Sequence, residues 1–295
     1  MCRFVCYQGQ PILPQRLVFE TEYSLVHQSR HAQQRSEPVN GDGFGLGWYP
    51  VHSDPEPGMF KSIEPAWNNE NLLSISSKIQ TSLFFAHVRD ASPDLPVTRT
   101  NCHPFRWGNF MWMHNGWLED FYLMKQTIAG ALSQKAYLTI QGNTDSEYAF
   151  ALFLDEIQFR QDASQEQMNQ ALFEVISKIC WYRIKLGIES NAQMNFAVSN
   201  GKTTTVTRFS SLVKEKPASL FYFQGKILGS SKRTWFSPPD ISKNSTSNQS
   251  NLPTIIASEP LSSCPDCWKK MERNTYISVS AEQTMTIAPI PIIDA

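Results

Sequence analysis

The chain lacks any apolar run long enough to cross a bilayer, and its first ten residues hold no secretory apolar segment. A cytoplasmic location with no membrane partner is the expectation. Charge of one sign is missing too: 26 basic residues face 27 acidic ones, a formal net charge of −1. That removes the broad positive field that nucleic-acid binding needs, while leaving room for a small charged pocket. Internal repeats and heptad runs are absent, which excludes solenoids and coiled coils. Cysteines number only six, and without a secretory signal they do not predict a disulfide framework. Cys264 and Cys267 form CPDC, but no second pair lies at zinc-finger spacing, and the segment after Cys267 makes a poor redox helix. An incidental pair in a loop is expected. His27 and His31 could share a helix face, yet two histidines without the HExxH glutamate read as surface residues. No metal is expected.

What is present is a core. The hydrophobic fraction is 41% against 18% charged, in 295 residues, enough for one large domain or two modest ones. Residues 3–8 predict a short buried strand. Residues 15–30 predict a helix that turns Leu17, Phe19, Leu25 and Val26 inward. NGDGFGLGWYP, residues 40–50, packs four glycines into eleven positions. It predicts a turn feeding a strand with close backbone approach, and it lacks the pattern of a nucleotide loop. Residues 82–89 and 109–114 predict two core strands that each deliver polar groups at one end, the second stopping at Asn115-Gly116. Residues 90–105 read as a proline-rich loop, and 52–57 and 242–251 as polar loops. Thr144 and Glu147 predict a capping box opening a helix to Ile157. A second helix is predicted over 166–185. Beyond it, Asn200-Gly201 predicts a hairpin between 196–199 and 203–207, and strands are predicted at 219–223, 253–257, 275–279 and 284–287. The class is α+β, since strands, then helices, then strands with short connections argue against regular βαβ units.

The beginning of the chain supplies a nucleophile. Met1 is removed by aminopeptidase when the next side chain is small, as Cys2 is. A free α-amine ordinarily titrates near about 7.7–8.0 and a thiol near about 8.5. One residue could then carry nucleophile and base together. Alone, a cysteine at position 2 is a weak signal.

Its companions change that. MCRFVCYQG, NGDGFGLGWY, HVRDAS, NCHPF, HNG and NTDSE occur in an order that resembles class II glutamine amidotransferase domains, which are N-terminal-nucleophile hydrolases. The similarity is greatest to the stand-alone branch related to the ergothioneine-pathway γ-glutamyl hydrolase and the fungal glutathione-degradation subunit, and ASEPL at 257–261 resembles that branch as well. The resemblance implies a four-layer αββα sandwich, a single domain over 1–295 after loss of Met1, and no cofactor. It implies Cys2 as nucleophile, with the Asn115 side-chain amide and the Gly116 backbone N–H as oxyanion hole. It implies Arg89 for a substrate α-carboxylate, Asp145 for the α-ammonium, Ser92 near the carboxylate, and His103 as pocket wall or structural support. Each has a plainer reading: a structural ion pair for Arg89, a helix cap for Asp145, a turn for Asn115-Gly116. Asp90 is a departure from many relatives, and Cys6, two pleats from Cys2, reads as a buried spectator more than an oxidation partner. The expected partner is a small γ-glutamyl substrate. The chain is short for a synthase domain, so a separate synthase or peptidase partner protein is the alternative, with the chain as its glutaminase subunit. A non-catalytic binding or scaffold protein and a penicillin-type amide hydrolase complete the set.

Overall fold

The computed structural model describes residues 2–51, 54–92, 95–230, 233–238, 252–264 and 266–291. The polar loop at 242–251 and His52 and Ser53 of the loop at 52–57 lie outside them.

Two antiparallel sheets form the middle of the molecule. The first has seven strands in the order Lys269–Lys270, Phe221–Gln224, Thr254–Ala257, Arg3–Ile12, Thr81–Val88, Phe44–Trp48 and Gly58–Ser62. The second has six: Met285–Pro289, Thr275–Val279, Thr204–Arg208, Ala192–Ser199, Phe110–Leu118 and Phe105–Trp107. Successive side chains on a strand point to opposite faces, and this sorts the core into three layers. Phe4, Cys6, Leu83 and Phe85 of the first sheet meet Met111, Met113, Ala197 and Val206 of the second. Their neighbours Val5, Tyr7, Phe84 and Ala86 point the other way, onto Leu17, Leu25 and Leu72 of the helices Gln15–Val18, Leu25–His31 and Glu70–Ser76. Likewise Trp112, Phe196 and Val198 pack on the helices Asp145–Glu156 and Gln165–Lys185. The result is the expected four-layer αββα sandwich.

Both predicted core strands, the Asn200-Gly201 hairpin and the four later strands are present, with shifted ends. Three local expectations are corrected. The helix over 15–30 is two helices, because Ser24 caps a new one at Leu25 and Tyr23 N–H donates to Leu261 O at 3.0 Å. The strand at 109–114 runs on through Asn115-Gly116 to Leu118, paired with Ala192–Ser199 along its length. The Thr144 capping box is half made. Thr144 Oγ1 accepts from Glu147 N–H at 3.2 Å, but the Glu147 carboxylate turns back to the N–H groups of Gln141 and Gly142. A full box stands instead at Ser164 and Gln167.

CPDC is corrected as well. Cys264 and Cys267 are disulfide-bonded, their Cα atoms 5.6 Å apart in a turn that buries Cys267 beside Phe223 and Phe236. Cys6 is a free, buried thiol pushed far up by burial between the sheets. The rings of His27 and His31 lie 5.3 Å apart at the surface of their helix.

Candidate active site

The first strand of the chain brings Cys2 to the edge of a cavity of about 540 Å³. Its neighbour Thr81–Val88 runs antiparallel, pairing Arg3 with Val88, so the end of that strand delivers Arg89 and Asp90 beside Cys2. Cys2 Sγ accepts from Asp90 N–H at 3.5 Å and lies 3.6 Å from Asp90 O. From the other sheet, Phe110–Leu118 delivers Gly116, and the start of the helix Asp145–Glu156 delivers Asp145. Ser92 and His103 complete the group, so Cys2, Arg89, Ser92, His103, Gly116 and Asp145 line one cavity. Asn115 lies behind the wall and is fully buried; its Nδ2 donates to Ser258 Oγ at 2.9 Å. An amide nitrogen carries two hydrogens, so one remains to be used.

Arg89 is the most informative of these. It is only 3% exposed. Its guanidinium reaches Pro96 O through two long contacts of 3.4 Å, and no carboxylate pairs with it among the described residues. Burying a cation without a counter-charge costs several kcal/mol. Asp145 is held hard by contrast: Oδ1 accepts from Ser146 N–H at 2.7 Å and Oδ2 from Leu118 N–H at 2.9 Å. Thr144, not Asp145, caps the helix through its side chain.

Three buried histidines brace the wall. Burial holds His114 below its ordinary range against the pull of Asp145, so the ring is neutral. Gln193 O, 2.9 Å from Nε2, can only accept, so Nε2 carries a proton; Nδ1 lies 2.9 Å from Ser146 Oγ, whose hydroxyl is also 3.1 Å from Asp145 Oδ1. His87 is pushed down to about 3 by burial and rests its Nε2 on His114 O. The His103 ring packs at a tilt on His87 with centroids 4.3 Å apart, and burial lowers it well below its usual value. Both nitrogens of His103 lack a protein partner. Glycine is required twice here. A Cβ at Gly116 would stand 1.9 Å from Gln193 O, and one at Gly45 would stand 2.0 Å from His103 O. The second contact accounts for the close approach expected of NGDGFGLGWY.

Several further residues stand at or behind the site. Arg35 pairs with Asp90 at 2.6 Å and with Asn40 Oδ1 at 3.0 Å. Glu259 takes the N–H groups of Gln33 and Gln34 and faces Arg3 at 3.3 Å, so it ties the 33–37 loop to the first strand. Trp117 and Lys216 reach the cavity from its open side. Ser258 and Glu259 belong to ASEPL, so that motif could have pointed to them.

Comparison with known proteins gives the same answer from another direction. The profile of the family described as class-II glutamine amidotransferases matches residues 16–293. The chain belongs to that family. It is therefore an enzyme of the N-terminal-nucleophile amidohydrolase type. The Saccharomyces cerevisiae protein named "Probable glutamine amidotransferase DUG3" is 33% identical over 98% of this chain and 84% of its own length. A γ-glutamyl-hercynylcysteine sulfoxide hydrolase of Mycobacterium tuberculosis is 25% identical over 47% of this chain, which spans 58% of that protein. In three dimensions, a glutamine aminotransferase class-II domain protein from Silicibacter pomeroyi superposes with a TM-score of 0.65 at 21% identity, covering 98% of this chain and 99% of that one. The glutamine phosphoribosylpyrophosphate amidotransferase of Bacillus subtilis gives 0.59 at 14% identity, covering 99% of this chain and 50% of its own. These two likenesses establish the fold of the family. Among the described residues, no helix is long and apolar enough to cross a membrane.

Proposed function

We propose that this enzyme hydrolyses a γ-glutamyl amide, either glutamine or a γ-glutamyl metabolite or peptide, through a thioester on Cys2. The observation that carries the reading is the buried Arg89 guanidinium, which lines the Cys2 cavity with no carboxylate partner among the described residues. A substrate α-carboxylate fits it as a planar, bidentate pair. Asp145, fixed in the same cavity, takes the α-ammonium. A γ-glutamyl group carries both charges at one end and its scissile carbonyl at the other.

Loss of Met1 makes the α-amine of Cys2 the first group of the chain. That amine takes the thiol proton, and the Asp90 N–H at 3.5 Å favours the thiolate. Sulfur adds to the γ-carbonyl carbon, and the π pair moves to oxygen. The backbone N–H of Gly116 and the second amide hydrogen of Asn115 stabilise that oxyanion; such a donor contributes about 3–4 kcal/mol. Collapse expels the amine, which takes its proton from the α-ammonium of Cys2 and leaves a γ-glutamyl thioester. Water, deprotonated by the same amine, attacks the thioester and releases glutamate. Every step uses groups of this chain and water.

The test is glutamate release from glutamine and a panel of γ-glutamyl amides. Release by the purified protein and none by Cys2→Ala is the expected result. Equal release by both contradicts the mechanism. Release that requires an added synthase or peptidase partner protein makes the chain a glutaminase subunit. Silence in every case, with Met1 retained, makes it a binding protein.

A further inference from the structure

A second cavity of about 530 Å³ adjoins the first. It forms where the two sheets end. Lys61 comes from the edge strand Gly58–Ser62 of one sheet, and Arg106 from the edge strand Phe105–Trp107 of the other. Arg99 enters from the short turn Arg99–Asn101, and Glu147 from the first turn of the helix Asp145–Glu156. Phe105 and Phe150 give it an apolar floor.

Its charges do not balance. The Glu147 carboxylate is already taken by the N–H groups of Gln141 at 2.8 Å and Gly142 at 2.7 Å. The Lys61 ammonium donates to Cys102 O at 2.8 Å and lies 5.4 Å from the Phe105 ring centroid; no carboxylate bridges it among the described residues. Burial pushes Lys61 below its ordinary range, against the upward pull of Cys102 and Glu147. The Arg99 guanidinium has no hydrogen bond or ion pair among the described residues. Arg106 meets Glu56 at 3.7 Å, with both side chains about half exposed, a pairing that solvent weakens. Three cations therefore converge on a walled space that contains one committed carboxylate and two aromatic faces.

The geometry points to a second ligand site, in which Lys61, Arg99 and Arg106 bind a small dianion with a flat apolar body, a phosphate monoester or an aromatic dicarboxylate. The anion neutralises the cations and the apolar body covers Phe105 and Phe150. This site shares two walls with the active-site cavity. In the 102–105 segment, His103 lines the first cavity and Phe105 the second, their rings 4.6 Å apart. In the helix start, Asp145 and Ser146 line the first and Glu147 the second. A dianion that draws Lys61 away from Cys102 O acts on the same segment that carries His103.

Calorimetric titration of the full chain with phenyl phosphate, and separately with phthalate, tests the proposal and tells the two sources apart. At least one probe is expected to bind saturably, one per chain. Its Kd should rise at least about tenfold in Lys61→Gln and in Arg99→Gln, a loss of about 1.4 kcal/mol, and stay unchanged in Arg89→Lys. Arg99 is exposed and its side chain makes no hydrogen bond or ion pair among the described residues, so its variant remains informative if Lys61→Gln does not fold. Absence of saturable binding by either probe overturns the site. So does binding that Arg89→Lys abolishes while the Lys61 and Arg99 variants keep it, because the anion then occupies the active-site cavity. The outcome is independent of the γ-glutamyl reading.

Discussion

On one side of the active-site cavity, Cys2, Arg89, Gly116 and Asp145 stand on strand ends and the first turn of a helix; on the other, residues 34–37 and 216–219 reach in from loops. The first side is rigid to the level of single hydrogen bonds. Gly116 is pressed against Gln193 O, Asp145 is held by two backbone N–H groups, and three neutral histidines fill the space behind. The second side is open: Glu37 and Lys216 stand in solvent. Groups that must hold one geometry sit on regular elements, and groups free to vary sit on loops. In the proposed reaction the rigid side grips the γ-glutamyl group, common to every substrate of that class. The loop side meets the leaving amine, which differs from one to another.

Substitutions on the rigid side should therefore damage every substrate alike. Arg89→Lys keeps the charge and loses the bidentate fork, so kcat/KM should fall about 100-fold, equivalent to about 3 kcal/mol, for all γ-glutamyl amides tested. A fall confined to one leaving group would break the comparison. Steady-state kinetics on two substrates with unlike leaving groups is enough to decide.

The histidines give a second, smaller effect that reads stability. His87, His103 and His114 are all held neutral by burial, with folded values below the ordinary 6.5. The unfolded chain takes up these protons near pH 6.5 and the folded chain below it, well below for His103 and at about 3 for His87. Stability is thus full above about pH 6.5 and declines as pH falls toward 3, by up to about 1.4 kcal/mol per pH unit for each such group. Urea midpoints from pH 7.5 down to 4.5 should show the decline, and His87→Gln should flatten its slope.

The smallest effects belong to the loops. Glu37→Ala and Lys216→Ala should leave glutamine hydrolysis within about twofold and change kcat/KM for bulkier γ-glutamyl substrates by about 3–10-fold, the scale of single exposed contacts. A large and uniform loss would move those residues to the rigid side.

This contrast also explains what could be read from the sequence. The apolar runs at Arg3–Ile12, Thr81–Val88 and Phe110–Leu118 marked core strands and the α+β class, while the four-layer sandwich was legible only through the family resemblance. HVRDAS marks the end of Thr81–Val88, NCHPF the approach to Phe105–Trp107 and NTDSE the start of the helix Asp145–Glu156, while HNG lies inside Phe110–Leu118. Other features needed the third dimension. Asn115-Gly116 reads locally as a turn, yet pairing with Asn195 and Met194 keeps it in a strand. The break before Leu25 depends on Leu261, far along the chain. Arg35 and Lys216 come from loops with no periodicity, so nothing local announces that they line the cavity with Cys2. The Cys264–Cys267 bond and the Arg99–Arg106–Lys61 convergence likewise depend on turns and sheet edges that pattern alone does not position.

The central claim is that Cys2 attacks a γ-glutamyl carbonyl held by the rigid side of the cavity. Its most direct measurement is the intact mass of the purified protein before and after treatment with the glutamine-like reagent 6-diazo-5-oxo-norleucine. The account predicts a chain without Met1 that gains one covalent adduct, mapped to Cys2 and blocked by glutamine. A chain from its own cells that retains Met1, or an adduct on another cysteine with Cys2 unmodified, would contradict it.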